Sequence, residues 1–167
     1  MSDITQTPLY GSAQGDAFDD IKSVAGWPAT QSINKISQIV VRYGNIVDNI
    51  TITYARTGGV APETQSHGGT GGNATTITLS DTEFLIGVYG QSGFVRNDYG
   101  PSSIFKLQFV ILDKATGSVR LEGPFVNAHT GTPFAATGEV IGIAGYDRQS
   151  TSRPQRYLQS LSFYFDD

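Results

Sequence analysis

The sequence predicts an all-β protein, and three observations support this fold class. Apolar and polar residues alternate with a period of two from residue 36 onward, whereas a helical period of 3.6 residues does not recur. Charged residues make up only 16% of the chain, and 20 glycines accompany an aromatic content of 11%. Few charges combined with many glycines and aromatic residues are typical of short strands joined by tight turns. From this pattern alone we expect a sandwich or a barrel.

The alternation divides into a series of predicted strands. The first two, 39–43 and 50–54, flank a turn at Gly44, and the second strand has one apolar face and one face of threonine hydroxyls. Residues 113–117 are typical of a hairpin turn between two later strands. The other strands are predicted at 76–79, 84–89, 105–111, 119–121, 140–143 and 158–165.

Four segments have little strand character, and we expect three of them to be binding loops, because loops on a rigid sheet usually carry the site. These segments are 1–17, 56–75, 90–103 and 146–156. None is long enough to separate two domains, so the sequence predicts a single domain.

Charge and hydropathy exclude two classes of partner. A net charge of −4 and a pI near 5.0 argue against a protein that binds nucleic acid, which would show a basic stripe. No segment is apolar for long enough to insert into a membrane. The N-terminus lacks the positive start and the apolar run of a secretory signal. We therefore expect a protein that is cytoplasmic or secreted without a leader peptide.

Catalysis and metal binding are not indicated either. The chain has no cysteine, which removes disulfides, thiolate metal sites and cysteine catalysis. His67 and His129 are the only histidines, too few for a three-histidine metal site, and no Gly-x-Ser-x-Gly motif occurs. Asp19 and Asp20 lie at the same strand entrance, so they do not form the facing carboxylate pair of a glycosidase. We predict no enzyme activity, no metal and no cofactor.

One candidate binding segment is the Asp48 turn, residues 44–48 (Gly-Asn-Ile-Val-Asp). Gly44 permits the turn, and Asp48 opens the following strand. A carboxylate there can accept hydrogen bonds from two adjacent hydroxyls, while the N–H groups of Asn45 and Ile46 donate to the same ligand. Alternatively, Asp48 only caps the turn through its own backbone, and taken alone the segment fits that role better.

The second such segment is the glycine loop, residues 68–72 (Gly-Gly-Thr-Gly-Gly). Four glycines in five residues lose much backbone entropy on ordering, so we expect a close backbone approach that requires them. One interpretation is a loop that donates N–H groups to ligand oxygens, and the other is a flexible hairpin without function. A phosphate-binding loop is excluded because no lysine follows and the next segment is a threonine-rich strand. Carbohydrate offers clustered hydroxyls and is the expected ligand.

These segments, in their order and spacing, resemble the jacalin-related lectins. Six motifs carry the resemblance: residues 15–20 (Gly-Asp-Ala-Phe-Asp-Asp), 44–48, 68–72, 83–85 (Glu-Phe-Leu), 123–125 (Gly-Pro-Phe) and 131–134 (Gly-Thr-Pro-Phe). The resemblance implies a β-prism of three four-stranded antiparallel Greek-key sheets with pseudo-threefold symmetry. It also implies a lectin domain at 11–167 after an N-terminal extension at 1–10.

The resemblance implies a calcium-independent lectin for mannose- or glucose-type glycans. The site that it implies consists of Gly44, Asn45, Ile46, Asp48, Gly68 and Gly69. In that site the Asp48 carboxylate takes the hydroxyls on carbons four and six, and backbone N–H groups hold the neighbouring oxygens. Shallow sites bind weakly and rely on avidity, so we expect a homo-oligomer whose partners are glycans or glycoproteins.

The chain departs from the family pattern at its last strand. Most members have their main site there, with Gly-x-x-x-Asp, whereas residues 155–159 of this chain read Gln-Arg-Tyr-Leu-Gln. The partner loop at 11–15 reads Gly-Ser-Ala-Gln-Gly and is also altered. We predict that this site is weak, inactive or changed in specificity. We name this altered region the possible second site, and its residues are Gly15, Asp147, Arg156, Tyr157 and Gln159.

A third position would use residues 90–94 and the loop that leads to Tyr99. Its candidate carboxylates are Asp98 and Asp147, and its candidate stacking aromatics are Phe94, Tyr99 and Tyr146, although ordinary half-packed aromatics account for these side chains better.

Two other functions stay open. One is a galactose- or other-glycan-specific lectin that uses the remodelled C-terminal loop, although family members selective for galactose rely on a chain cleaved at the equivalent of Gly15, which is internal here. The other is a protein-interaction prism whose sugar sites have decayed.

Overall fold

The computed structural model describes residues 4–25, 32–126 and 129–166, and these form three antiparallel sheets. The predicted all-β class is confirmed, and so is the β-prism of three four-stranded sheets. The described residues include two single helical turns, Ile21–Ala25 and Asn97–Tyr99. Neither turn is long and apolar enough to cross a membrane.

Each sheet has four strand positions. Sheet 1 contains β1 (Ile4–Gln6), β2 (Tyr10–Gly11), β3 (Asp16–Asp19), β12 (Val140–Gln149) and β13 (Arg156–Asp166), in the order β1-β13-β12-β3, with β2 beside β1 on the same edge of β13. Sheet 2 contains β4 (Ile33–Tyr43), β5 (Val47–Arg56), β6 (Glu63–Gly68) and β7 (Asn73–Thr78), in the order β6-β5-β4-β7. Sheet 3 contains β8 (Glu83–Gly93), β9 (Ser103–Asp113), β10 (Val119–Val126) and β11 (Thr132–Thr137), in the order β10-β9-β8-β11.

Five of the described strands lie where the alternation pattern predicts none, namely β1, β2, β3, β6 and β11. Strands β6 and β11 are edge strands; β6 lacks a regular apolar face, whereas β11 buries Phe134 and Ala136 on one face of a short strand. In β6 only His67 is buried. In β11, Pro133 is tolerated because one side of an edge strand needs no hydrogen-bond donor. The predicted loops are also shorter than expected, because β8 continues to Gly93 and β12 continues to Gln149.

The N-terminal segment takes part in sheet 1. Strand β1 pairs with the end of β13, where Ile4 lies opposite Asp166. Residues 1–3 of the predicted extension lie outside the described residues. The boundary between an extension at 1–10 and a domain at 11–167 stays a prediction.

A single core fills the space between the three sheets. Alternate residues of the central strands face it, which agrees with the period-two pattern of the sequence. Fully buried examples from the three sheets are Ile39, Ile52, Phe109, Leu161 and Phe163.

The strand order of sheet 2 places the glycine loop over the Asp48 turn. Because the order is β6-β5-β4-β7, the connection from β6 to β7 crosses the ends of two strands, a span of about 14 Å. Gly68 and Asn73 are five Cα–Cα steps apart, which reach at most about 18 Å when fully extended. The loop is therefore almost taut and lies directly on the turn between β4 and β5.

A small apolar cluster joins the three sheets at this end of the prism. It consists of Ile46 from the Asp48 turn, Phe105 from β9 and Tyr157 from β13, each about 1% exposed. Val95 and Tyr99 pack against it. The loops of all three sheets thus meet around one apolar cluster. This cluster restrains the Asp48 turn through the buried side chain of Ile46.

Candidate functional site

The carboxylate of Asp48 is half-buried and accepts no hydrogen bond from the described part of the chain. Desolvation raises the pKa of this carboxyl group to about 6, against a smaller lowering effect of the Arg42 charge. Buried polar groups in proteins are normally hydrogen-bonded, and a carboxylate that is partly desolvated without a donor is characteristic of binding sites. Asp48 is therefore available to accept hydrogen bonds from a ligand.

Three glycines surround this carboxylate. A β-carbon placed at Gly71 would lie 2.9 Å from Oδ1 of Asp48, and one at Gly72 would lie 2.7 Å from Oδ2. A β-carbon at Gly44 would lie 3.7 Å from Oδ2. Gly72 also has a φ of +71°, which an L-residue adopts only with strain. The glycines of both segments thus let bare backbone approach the carboxylate closely.

Two of the loop N–H groups named from the sequence already have protein acceptors. The N–H group of Gly68 donates to Oδ2 of Asp147 at 2.9 Å, and that of Gly69 donates to the backbone oxygen of Asp48 at 2.9 Å. Across the described residues, the N–H groups of Ile46, Thr70 and Gly71 donate to no protein acceptor. These groups are the backbone donors left for a ligand beside the carboxylate.

The glycine loop is held in place from two sides. The Arg42 guanidinium donates through Nη1 to the backbone oxygens of Thr70 at 3.1 Å and Gly72 at 3.2 Å. On the other side, Gly69 packs against the backbone oxygen of Arg156 so tightly that a side chain would overlap it. Arg42 therefore anchors the loop, and its charge also favours the ionised form of Asp48.

The two middle residues of the Asp48 turn play different parts. Asn45 is exposed, whereas the side chain of Ile46 is buried in the apolar cluster. Only the backbone of Ile46 can reach a ligand. The turn thus presents Asn45 and backbone groups around the carboxylate, while Ile46 fixes its position.

The possible second site is closed at two of its residues. Tyr157 is 1% exposed and Gln159 is 0% exposed. The Tyr157 hydroxyl donates to the backbone oxygen of Asp98 at 3.0 Å, and Nε2 of Gln159 donates to Oγ of Ser12 at 2.7 Å. A β-carbon at Gly100 would lie 3.0 Å from Oε1 of Gln159, so this segment covers the amide. Neither side chain presents a surface to a ligand.

The remaining residues of that site are engaged with one another. Arg156 donates through Nη2 to Oδ1 of Asp147 at 2.5 Å and also forms an ion pair with Asp16. Gly15 is exposed and packs on the backbone of Asp147. Asp147 and Arg156 thus lie beside the glycine loop instead of lining a separate cleft.

Several side chains of the third position are likewise bonded to or covered by other protein groups. The Asp98 carboxylate takes two hydrogen bonds from Arg96, at 2.6 and 2.8 Å, and the Arg96 guanidinium covers the ring of Tyr99 at 4.3 Å. Tyr146 is half-buried, whereas Phe94 is 58% exposed. Of these side chains, Phe94 has the largest free surface.

Sequence reasoning missed part of the site. Gly71 and Gly72 belong to the recognised glycine run, but their contact with Asp48 follows from the taut path of the loop. Arg42 gave no signal because it is one polar residue in an alternating strand. From the sequence, Asp147 was a candidate for the possible second site and for the third position. Its contact with Gly68 joins two sheets and leaves no pattern in the sequence.

Comparisons with known proteins agree with this architecture. A family model described as the jacalin-like lectin domain matches residues 8–164. The structure of wild-type Malaysian banana lectin is 25% identical with a TM-score of 0.73, covering 99% of this chain and 100% of that one. A mannose-specific jacalin-related lectin from Morus nigra, solved in complex with mannose, is 23% identical with a TM-score of 0.74, covering 100% and 97%. A mannose-binding jacalin-related lectin from Ananas comosus is 22% identical with a TM-score of 0.72, covering 98% and 99%.

Proposed function

This chain belongs to the jacalin-like lectin family, and from this premise we propose that it binds mannose- or glucose-type glycans through the carboxylate of Asp48. Carbohydrate binding is the function of the family. One observation carries the assignment to this site: the Asp48 carboxylate is half-buried, has no donor within the described residues, and lies between glycine segments that expose backbone N–H groups.

A sugar supplies what this site lacks. Two adjacent hydroxyls donate to the two carboxylate oxygens, and the ring or hydroxyl oxygens accept from the N–H groups of Ile46, Thr70 or Gly71. Hydrogen bonds to an ionised carboxylate are about twice as strong as neutral ones. One shallow site of this kind gives millimolar affinity, or about −4 kcal/mol.

The mannose class is supported by relatives that are themselves described as mannose-specific or mannose-binding, from Morus nigra and Ananas comosus. Recognition by one carboxylate and backbone groups needs no metal, so we propose calcium-independent and non-catalytic binding. Weak single sites favour avidity, and we propose a homo-oligomer that engages several glycans at once.

A glycan array that compares the parent with Asp48→Ala and Gln159→Ala tests this proposal. We expect Asp48→Ala to lose mannose and glucose signals and Gln159→Ala to keep them, because Gln159 is fully buried. Addition of a calcium chelator should leave the parent signal unchanged. Equal mannose binding by Asp48→Ala and the parent would contradict the proposal, and galactose signals that depend on Gln159 would favour the remodelled C-terminal loop.

A protein-interaction role is the second candidate, and an exposed apolar pair favours it. Val119 and Leu121 on the edge strand β10 are 56% and 60% exposed. Exposed apolar groups on a sheet edge are suited to contact with another protein. Absence of any glycan signal at high protein density, with retained self-association that Leu121→Lys abolishes, would support this role instead.

A further inference from the structure

Asp147 connects sheet 1 to the glycine loop of sheet 2. Its Oδ2 accepts a hydrogen bond from the Gly68 N–H group at 2.9 Å, and its Oδ1 accepts one from Nη2 of Arg156 at 2.5 Å. The next residue, Gly69, donates to the backbone oxygen of Asp48. A continuous series of polar contacts therefore runs from Arg156 through Asp147 and the loop to the strand that carries Asp48.

Arg156 restrains the same loop in a second way. Its guanidinium holds Asp147 and also pairs with Asp16. Its backbone oxygen packs against Gly69, where a side chain would overlap it. The strand that carries the main site in most family members thus supports the neighbouring site in this chain.

We propose that Asp147, held by Arg156, is a positioning residue for glycan binding at Asp48. Its carboxylate fixes the first residue of the glycine loop, so that the free N–H groups of Thr70 and Gly71 face the same ligand as the Asp48 carboxylate. Asp147 itself does not contact the sugar. This inference rests on the function proposed above.

The entropy of the glycine loop explains why such an anchor matters. A run with four glycines has many accessible backbone states, and any disorder in the free protein must be removed when the ligand binds. Arg42 restrains the end of the loop through Thr70 and Gly72, whereas at the other end Asp147 holds Gly68 beside the Gly69 N–H bond to Asp48. Loss of this anchor transfers the ordering of the loop to the binding step and weakens affinity.

Binding of methyl α-mannoside, followed by NMR titration, tests the inference on the full chain. We expect Asp147→Ala to raise Kd on the order of tenfold, because a charge-assisted hydrogen bond is lost. Asp147→Asn retains an acceptor oxygen without the charge and should fall between the parent and Asp147→Ala. The Gly68 amide should shift and exchange faster in both variants, at similar thermal stability, which general destabilisation would not produce.

Asp98→Ala is a matched control. The Asp98 side chain is 16% exposed and paired with an arginine, as is that of Asp147, but it contacts no residue of the glycine loop. Its Kd should stay within about twofold of the parent, since the Asp98 side chain bonds to Arg96 and Ser152 and holds no part of the glycine loop.

The outcomes separate this inference from the proposed function. If Asp48→Ala binds as the parent does, the proposed function fails. If Asp48→Ala loses binding while Asp147→Ala keeps the parent Kd, the inference is overturned and the function stands. Should Asp147→Ala not fold, the isosteric Asp147→Asn decides: a raised Kd with a shifted Gly68 amide supports the inference, and an unchanged Kd overturns it.

Discussion

Gly71 lies against the carboxylate of Asp48 with space for a hydrogen atom but not for a methyl group, since a β-carbon at position 71 would stand 2.9 Å from Oδ1. The loop backbone therefore removes water from the carboxylate without hydrogen-bonding to it. This arrangement explains both the raised pKa of Asp48 and its availability to hydroxyl donors.

Gly71→Ala should lower glycan affinity by about tenfold or more, because the methyl group must displace either the loop or the carboxylate. Gly58→Ala is the control: Gly58 has a φ of +68° and no neighbour within 4 Å of its β-carbon position. That substitution should lower the free energy of unfolding by about 1 kcal/mol through backbone strain and leave affinity unchanged. Titration calorimetry and urea unfolding of both variants measure the contrast, and parent-like affinity in Gly71→Ala would contradict this account of the site.

Glycan binding should weaken as the pH falls through about 6, because the acceptor at Asp48 must be ionised and its pKa is raised to about 6 by desolvation. Kd should be constant above pH 7 and about tenfold higher at pH 5. Titrations between pH 4.5 and 8 measure this profile. In Asp48→Asn the residual affinity should not change with pH over this range, and a parallel slope in that variant would assign the titration to another group.

Asp48→Asn should also stabilise the fold at neutral pH. The folded-state pKa of about 6 exceeds the ordinary value of 3.8, so the folded state binds the proton more tightly than the unfolded state. The resulting destabilisation is absent below pH 4, develops between pH 4 and 6, and is complete above that range. We expect a gain of at most about 2 kcal/mol at pH 7, less than the full pKa shift implies because solvent screens this partly exposed carboxylate, and a much smaller gain at pH 4, measured by urea unfolding. A less stable Asp48→Asn at pH 7 would show that the carboxylate is hydrogen-bonded in the folded state.

The fold, and the turn at the centre of the candidate site, could be predicted from the sequence because both are encoded locally. Alternating residues such as those of β5 specify strands with one buried face, and the turn at Gly44 places Asp48 at the start of a strand. The six recognised motifs then specify the prism. The edge strand β6 escaped because only His67 on it is buried, so its pairing with β5 depends on backbone hydrogen bonds that leave no sequence pattern.

The support of the site could not be predicted, because it arises from contacts between sheets. Asp147 reaches Gly68 only once the ends of β12 and β6 lie side by side. In the same way, the sequence showed that Gln159 replaces a carboxylate, but its burial depends on where the segment at Gly100 passes. Side-chain chemistry identified these residues, and only the packing of the three sheets assigned their roles.

A buried polar group behind the glycine loop provides a test of stability. Asp20 is 0% exposed, accepts a hydrogen bond from the Tyr54 hydroxyl at 2.5 Å, and lies 2.6 Å from Nε2 of His67. His67 directly precedes Gly68, so this group joins the helical turn at Ile21–Ala25, the core of sheet 2 and the start of the loop. Removal of one partner from a buried carboxylate is destabilising because the other charge and lone pairs stay desolvated.

Tyr54→Phe should therefore lower the free energy of unfolding by about 2–3 kcal/mol. Tyr164→Phe is the comparison, since the Tyr164 hydroxyl donates to Asp19 at 2.6 Å and the Asp19 side chain is 21% exposed. Water can replace the lost donor at Asp19 but not at Asp20, so the loss in Tyr164→Phe should be smaller, about 1 kcal/mol. Urea unfolding at pH 7 gives both values. Equal losses would mean that water reaches Asp20 in the variant, and the carboxylate would then not be a sealed part of the core.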